Sequence, residues 1–418
     1  MAGSVVQSGT YSVLLDTGFD STSFRLDSAA KGILDTDVLG PAATNYADIT
    51  EYVTRVTYRR GRRRIDDQFG AGRMQFVMRD ETGILGPYDT TSPYYDPDND
   101  EPGLAPMRAV QVKRSSTALF TGFVTAYDYV FAQAGPNTVI VSCADDFYKI
   151  AQTDMAELNV IAQTSGERIS TVLALPEVDY SGTTSVETGT VNLGHDASYT
   201  VPAGTNTLGY LSQINQAEQG RLFIAADGTF TFQKRIGNTL SAPVISFTDD
   251  GTGAAYDNLE VEFDADAVVN RSYVEALNGN NATDDDAASQ AQYFIQNYQI
   301  TNSLLHEQAA VDALAAYLLE PNPEPRYTAV STTFAMLTSA QRTTCATIDI
   351  GDTISIHKEI PGLGTEVASE LSVEGIDGVI DYNTGHRITY YTAPTTIVYE
   401  LILDDATYGT LDGDNVLG

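Results

Sequence analysis

The sequence predicts a mainly β (α+β) fold, in which two β-barrel domains flank a small α/β domain and the second barrel carries a helical insert. Three observations lead there. The chain has 24 tyrosines and no tryptophan, set among Thr, Val, Gly and Asp, a composition of strands and tight turns. Side chains alternate with period two, as in Tyr52, Thr54, Val56 and Tyr58 or in Met74, Phe76 and Met78, which marks half-buried strands. Helical spacing is confined to a few short stretches bounded by caps, glycine or proline.

At 418 residues the chain has room for several domains and more than one core. Residues 1–45 hold only short apolar snatches such as Ser12–Leu15, and read as an extended arm that packs on something else. Residues 46–152 read as the first barrel, interrupted by a Pro/Tyr/Asp loop over 86–107. Residues 153–240 read as the α/β domain. There Thr164 and Glu167 have capping-box spacing. A second helix starts near Asn206 and stops at Gly220, and Arg221–Gln233 forms a hairpin about Asp227-Gly228. Residues 241–400 read as the second barrel, with a helical insert at about 284–322 whose longest helix spans about Ser303 to Glu320 before Pro321. Residues 401–418 read as an acidic tail.

An internal echo bears on the two-barrel reading. Ala109–Lys113, Leu119–Val124 and Asn137–Val141 resemble Thr353–His357, Val373–Ile376 and His386–Tyr390 in order and pattern. Either β-rich segments share such patterns by chance, or the chain contains two related barrels.

The net charge is −33. It is unevenly spread: Arg55 to Arg79 holds eight arginines against Asp66 and Asp67, a local +6, so the remainder carries −39. Such a surface repels nucleic acid and anionic membranes. The N-terminus lacks the basic and apolar regions of a signal peptide, and no apolar run approaches the roughly 20 residues of a membrane helix. Cys143 and Cys345 read as two small buried thiols.

Catalytic patterns are not found in the sequence. His195, His306, His357 and His386 stand in separate contexts without metal-ligand spacing, and no nucleophile elbow or phosphate loop occurs. No enzymatic activity, cofactor or metal is expected. Asp96, Asp98 and Asp100 place oxygens at alternate positions, but Glu101-Pro102 follows where a calcium loop needs glycine, so a solvated acidic loop is the favoured reading.

The arginine run admits three readings: a nucleic-acid patch, a solvated ribbon tip, or a contact. The third is preferred. Arg59, Arg60, Arg62, Arg63 and Arg64 are expected to pair with carboxylates of an acidic neighbour or of a second copy, because the guanidinium fork suits multidentate pairing.

Several ordered segments resemble a known family. Asp48-Ile-Thr-Glu-Tyr-Val53, Val56-Thr-Tyr-Arg-Arg-Gly-Arg62 and Phe69-Gly-Ala-Gly-Arg-Met-Gln-Phe-Val-Met-Arg79 look like the start of minor tail proteins of long-tailed phages infecting actinobacteria. Phe24–Asp27, Lys31–Asp35, Leu119–Val124, Gly166–Ile169, Ala217–Phe223 with Asp227-Gly228, and Ile350–Ile354 resemble the same family in the same order. The resemblance implies a baseplate or tail-tip hub similar to the trimeric hub of contractile phages, with two barrels per subunit making a pseudo-sixfold ring. It further implies location in the virion after synthesis in the host cytoplasm. The partners it implies are other copies of the chain, the distal tail protein, the tape measure protein and tip or fibre proteins. DNA would pass transiently through an acidic channel, without stable binding to nucleic acid or membrane. The sequence stops near Gly418 without a wall-digesting domain, so that activity is not expected. A sixfold distal tail protein and a glycan-binding adhesin are the alternative readings.

Overall fold

The computed structural model describes residues 10–19, 46–64, 67–96, 99–194, 200–235, 243–265, 267–359, 366–394, 399–400 and 415–416. The alternating segments form strands as their period requires. In the N-terminal part these are β1 (Tyr11–Asp16), β2 (Tyr46–Asp48), β3 (Val53–Gly61), β4 (Arg73–Asp80), β5 (Ala109–Arg114), β6 (Thr117–Val130) and β7 (Asn137–Ala144). They pair in the order β2-β1-β5-β6-β7-β4-β3. The described part of the N-terminal arm thus enters the sheet: Val13 lies opposite Val112 and Leu14 opposite both Gln111 and Asp48.

A middle unit follows, with helices α1 (Asp146–Ala151), α2 (Ser165–Leu173) and α3 (Thr207–Glu218) and the hairpin β8 (Arg221–Ile224) and β9 (Phe230–Gln233). Its signals work as their chemistry dictates. Thr164 and Glu167 close a reciprocal capping box on α2, and Asn206 caps α3 by accepting from the Gly209 N–H at 3.0 Å. Gln219 ends α3 in the left-handed region and Gly228 turns the hairpin at φ +94°. Thr164→Ala is expected to cost about 1 kcal/mol, measured as a lower urea midpoint; an unchanged midpoint would mean that tertiary packing alone holds the helix start.

Two fully buried charges pin this unit. Arg168 on α2 donates to Gln163 Oε1 at 2.7 Å, the Tyr210 hydroxyl at 2.8 Å and the Leu193 carbonyl at 2.9 Å. Glu218 on α3 accepts from the hydroxyls of Ser165 at 2.7 Å and Thr190 at 2.6 Å and from the Val191 N–H at 3.1 Å. Each charge is matched by hydrogen bonds, which is what makes its burial tolerable. Gly166 lies so close to the Glu187 carbonyl that a Cβ would sit 1.8 Å from it. The segments Gly166–Ile169 and Ala217–Phe223 are therefore core-building segments.

The C-terminal part adds β10 (Ile245–Thr248), β11 (Asn258–Glu262), β12 (Arg271–Ala276), β13 (Asn281–Asp285), α4 (Ala287–Tyr293), β14 (Asn297–Ser303), α5 (Gln308–Tyr317), β15 (Arg326–Thr333), α6 (Ser339–Thr347), β16 (Thr353–Glu359), β17 (Glu366–Asp381) and β18 (Gly385–Pro394). The helix expected from about Ser303 begins only at Gln308, because residues 297–303 extend as a strand beside β12. At 12 residues α3 is longer than α5 with its 10. The segment 271–315 shares the core of the middle unit: Val274, Ile300, Leu305, Val311 and Leu314 pack with Ile169, Leu211 and Phe232.

Strands β11, β15, β18 and β17 continue the sheet from β3, with β16 on β17 and β10 on β16. The result is a 13-stranded, largely antiparallel sheet, and no closed barrel is found among the described residues. The echo has a structural counterpart. Strands β5-β6-β7 and β16-β17-β18 are both antiparallel meanders, and in both the long middle strand carries a register shift, at Val124/Ala126 and at Val373/Gly375. The two half-sheets share one core, in which Phe76, Phe120 and Val141 belong to the same buried cluster as Phe247, Ile354 and Tyr390. Residues 20–45 of the arm, Asp98, His195 and most of the acidic tail lie outside the described residues.

Candidate functional site

One seam of the sheet joins residues more than 300 positions apart in sequence. Residues 55–61 of β3 pair antiparallel with 375–381 of β17, placing Gly61 opposite Gly375, Arg59 opposite Asp377 and Arg55 opposite Asp381. The seam closes because small residues let two backbones approach. A Cβ on Gly375 would lie 2.2 Å from the Arg62 carbonyl, and one on Gly378 would enter the Tyr58 ring. Gly375→Ala is therefore expected to destabilise the chain by about 1–3 kcal/mol, read as a lower urea midpoint; a wild-type midpoint would mean that the seam relaxes freely.

All five arginines singled out in the sequence lie at this seam, and each finds a carboxylate in its own chain. Arg60 is 3% exposed and binds Asp349, whose other oxygen accepts from the Ala226 N–H at 2.9 Å. Arg62 meets Glu374 at 2.8 Å and stacks over Phe69 at 4.6 Å. Arg221, from β8, takes the other oxygen of Glu374 at 2.8 Å and donates to the Ser372 hydroxyl at 2.6 Å. Glu374 is 2% exposed and Arg221 6%, so this triad ties the N-terminal half-sheet, the C-terminal half-sheet and the middle unit at one point. Burial raises the Glu374 pKa, but Arg221 and Arg62 more than reverse that and hold it below the usual carboxylate range.

The remaining three arginines are about half exposed. Arg63 meets Asp377 at 2.8 Å and lies over the Tyr391 ring, Arg59 reaches the same aspartate at 3.7 Å, and Arg64 meets Glu262 at 2.9 Å. The sequence reading gave all five one contact role. The structure separates them: Arg60 and Arg62 hold the chain to itself, while Arg59, Arg63 and Arg64 stand at the surface.

A second cluster lies beneath the seam. His386 on β18 is 3% exposed. Its two ring nitrogens lie 3.1 Å from the hydroxyls of Tyr11 and Tyr58, and the Phe334 ring packs 4.1 Å away. Burial, reinforced by Arg114, lowers its pKa to about 3, so it is neutral at physiological pH.

Sequence reasoning missed Glu374, Asp349, Asp377 and Arg221. One signal could have found the first: Glu374 is the only charged residue of the strand-like stretch Leu371-Ser-Val-Glu-Gly-Ile376, and a charge in a buried strand needs a partner.

Among the described residues no group of three or more His, Cys, Asp or Glu side chains is placed to hold a metal ion. Asp96 accepts from the Asn99 amide at 2.8 Å and Asp100 from the Tyr95 hydroxyl at 2.9 Å. Cys143 and Cys345 are free and buried, and burial raises both thiols, Cys345 to about 11. A surface depression on the middle unit, lined by Gln163, Glu167, Ser170, Thr171 and Glu187 among others, contains no histidine, cysteine or lysine.

No protein-family model matches the sequence, and no curated protein matches it. Solved structures do. A tail protein from Neisseria meningitidis superposes with a TM-score of 0.58 at 12% identity, covering 93% of this chain and 98% of that one. The chain shares the fold of that tail protein. The 43 kDa tail protein of prophage MuSo2 from Shewanella oneidensis agrees, with a TM-score of 0.55 at 11% identity over 92% of this chain and 98% of that one. At such identities the likeness is one of fold.

Proposed function

We propose that this protein is a structural subunit of a phage-type tail tip. It forms a hub ring, of three copies by preference, that closes or extends the tail tube and holds tip or fibre proteins. The observation that carries the reading is the side-by-side joining of two similar half-sheets in one chain. Three such chains would set six half-sheets about one axis, able to meet a sixfold tube on one side and a threefold tip on the other. In that ring each half-sheet, open among the described residues of one chain, becomes one of two barrel-like units per subunit.

The outermost strands suit such closure. Both β2 and β11 have a ladder partner on one side only among the described residues, and the free edge of a strand is a template for pairing with another chain. The role is structural and no catalytic step is assigned to it. The strongly acidic surface suits a channel through which DNA passes without adhering. A cryo-EM map of intact particles is expected to place this chain in a threefold ring at the distal end of the tail tube. Six copies per ring would make it a distal tail protein instead, and a location outside the tail would overturn the reading.

A further inference from the structure

The outward face of the sheet around the seam has an unusual charge pattern. Arg59 on β3 stands directly opposite Arg73 on β4, with both side chains exposed on the same face. Like charges at directly opposed positions are destabilising, and here they persist in a chain with 56 acids and 23 bases. Arg55 lies further along β3 on this face, and Arg387 on β18 lies beyond Val379 of β17.

The carboxylates of the face are already engaged. Asp377 takes Arg63, Arg59 and the Tyr391 hydroxyl. Asp381 faces Arg55 in register, but its carboxylate accepts the N–H groups of Asn383 at 2.9 Å and Thr384 at 3.3 Å, closing the turn into β18. Among the described residues no ion pair or side-chain hydrogen bond reaches Arg55, Arg73 or Arg387, whereas Arg79, Arg108, Arg271 and Arg326 each have an acid partner. Between the arginines the face presents Thr57, Gln75, Val379 and Thr389.

We propose that this face, with Arg55, Arg59, Arg73 and Arg387 as its anchors, docks the acidic surface of a second copy of the chain. The inference deepens the ring reading and rests on it. Charge complementarity selects the occupant: outside the stretch 55–79 the chain carries −39, so a second copy offers carboxylates over most of its surface. Size argues the same way. Strand spacing of about 4.8 Å and a rise of about 3.3 Å per residue make the anchored face roughly 15 Å on a side. A nucleic acid, with one charge per about 1.7 Å of duplex axis, would overrun it onto net acidic surroundings. A short acidic segment of a folded neighbour would not.

The test is sedimentation velocity of the full chain across a salt series, comparing wild type with the triple variant Arg55→Glu, Arg73→Glu, Arg387→Glu. None of the three arginines makes an ion pair among the described residues. Arg73→Glu exchanges a like-charge opposition with Arg59 for an opposite-charge one, while Arg55→Glu does the reverse beside Asp381. The two changes offset, so the variant is expected to keep a denaturation midpoint close to that of wild type. Wild type is expected to associate, more weakly as salt rises, and the variant to need at least about tenfold more protein to do so. Equal association of the two would overturn this inference and leave the ring reading intact. A wild type that stays monomeric at every concentration would overturn both. Capture of a labelled oligonucleotide duplex by wild type, lost in the variant and without self-association, would reassign the face to phosphate and overturn the proposal.

Discussion

Replacing Glu374 with alanine is expected to lower the stability of the chain by about 3–5 kcal/mol, because it strands two guanidinium groups at a site closed to water. Arg62 and Arg221 each meet a separate oxygen of this carboxylate, so a single truncation releases three parts of the molecule at once. The measurement is a urea titration followed by both fluorescence and circular dichroism. Two transitions in place of one would show that the middle unit and the sheet have come apart. Arg64→Ala is the control. Its partner Glu262 is about half exposed, and surface pairs contribute roughly 0–1 kcal/mol. If the two variants lose equal stability, the triad is not the fastening described above.

The second large effect is expected on acidification. The folded chain keeps His386 neutral down to a pKa of about 3, whereas an unfolded histidine takes up a proton near pH 6.5. Below 6.5 the unfolded state therefore binds the extra proton, and the stability associated with His386, fully present above that pH, is lost as pH falls toward 3. At about 1.4 kcal/mol per pH unit the loss reaches on the order of 4 kcal/mol by pH 3.5. Glu374 acts with the same sign at lower pH: its depressed pKa means stability present above the ordinary glutamate range and lost below it.

Asp145 acts with the opposite sign. Burial pushes it up to about 7, against the N–H groups of Gly72 and Phe147 that it accepts, so its contribution is present at low pH and lost as pH rises through 7. The clean readout is therefore a difference. Between pH 6.5 and 5 the denaturation free energy of wild type is expected to fall about 1 kcal/mol per unit more steeply than that of His386→Asn. Parallel curves would mean that the histidine titrates alike in both states.

Much of the strand set was legible because it rests on local rules. Period-two alternation placed β3, β4 and the meanders, and cap chemistry placed α2, α3 and the hairpin at Gly228. What local rules could not supply was partnership across long separations. Nothing near Arg60 announces Asp349, and nothing near Tyr58 announces His386. The start of α5 was misjudged for the same reason: Ser303 has helical neighbours in sequence but a strand partner, Ala276, in space. The five arginines were expected, on electrostatic grounds, to pair with an acidic neighbour or a second copy. Two of them proved to hold the chain to itself, because a carboxylate 312 residues away is as invisible to sequence reading as one on another molecule.

The seam also imposes a timetable on synthesis. Arg63 and Asp377 are separated by 314 residues, so at typical elongation rates the outer edge of β3 waits roughly 15–60 s for β17 to leave the ribosome. An unpaired strand edge is an invitation to other nascent chains on the same message. Here that edge bears Arg55, Arg59 and Arg60 and runs into Arg62, Arg63 and Arg64, a dense like charge that repels an identical neighbour. Arg60 and Arg62, which later fasten the seam, thus belong to a charged strip that guards it while it is still half made.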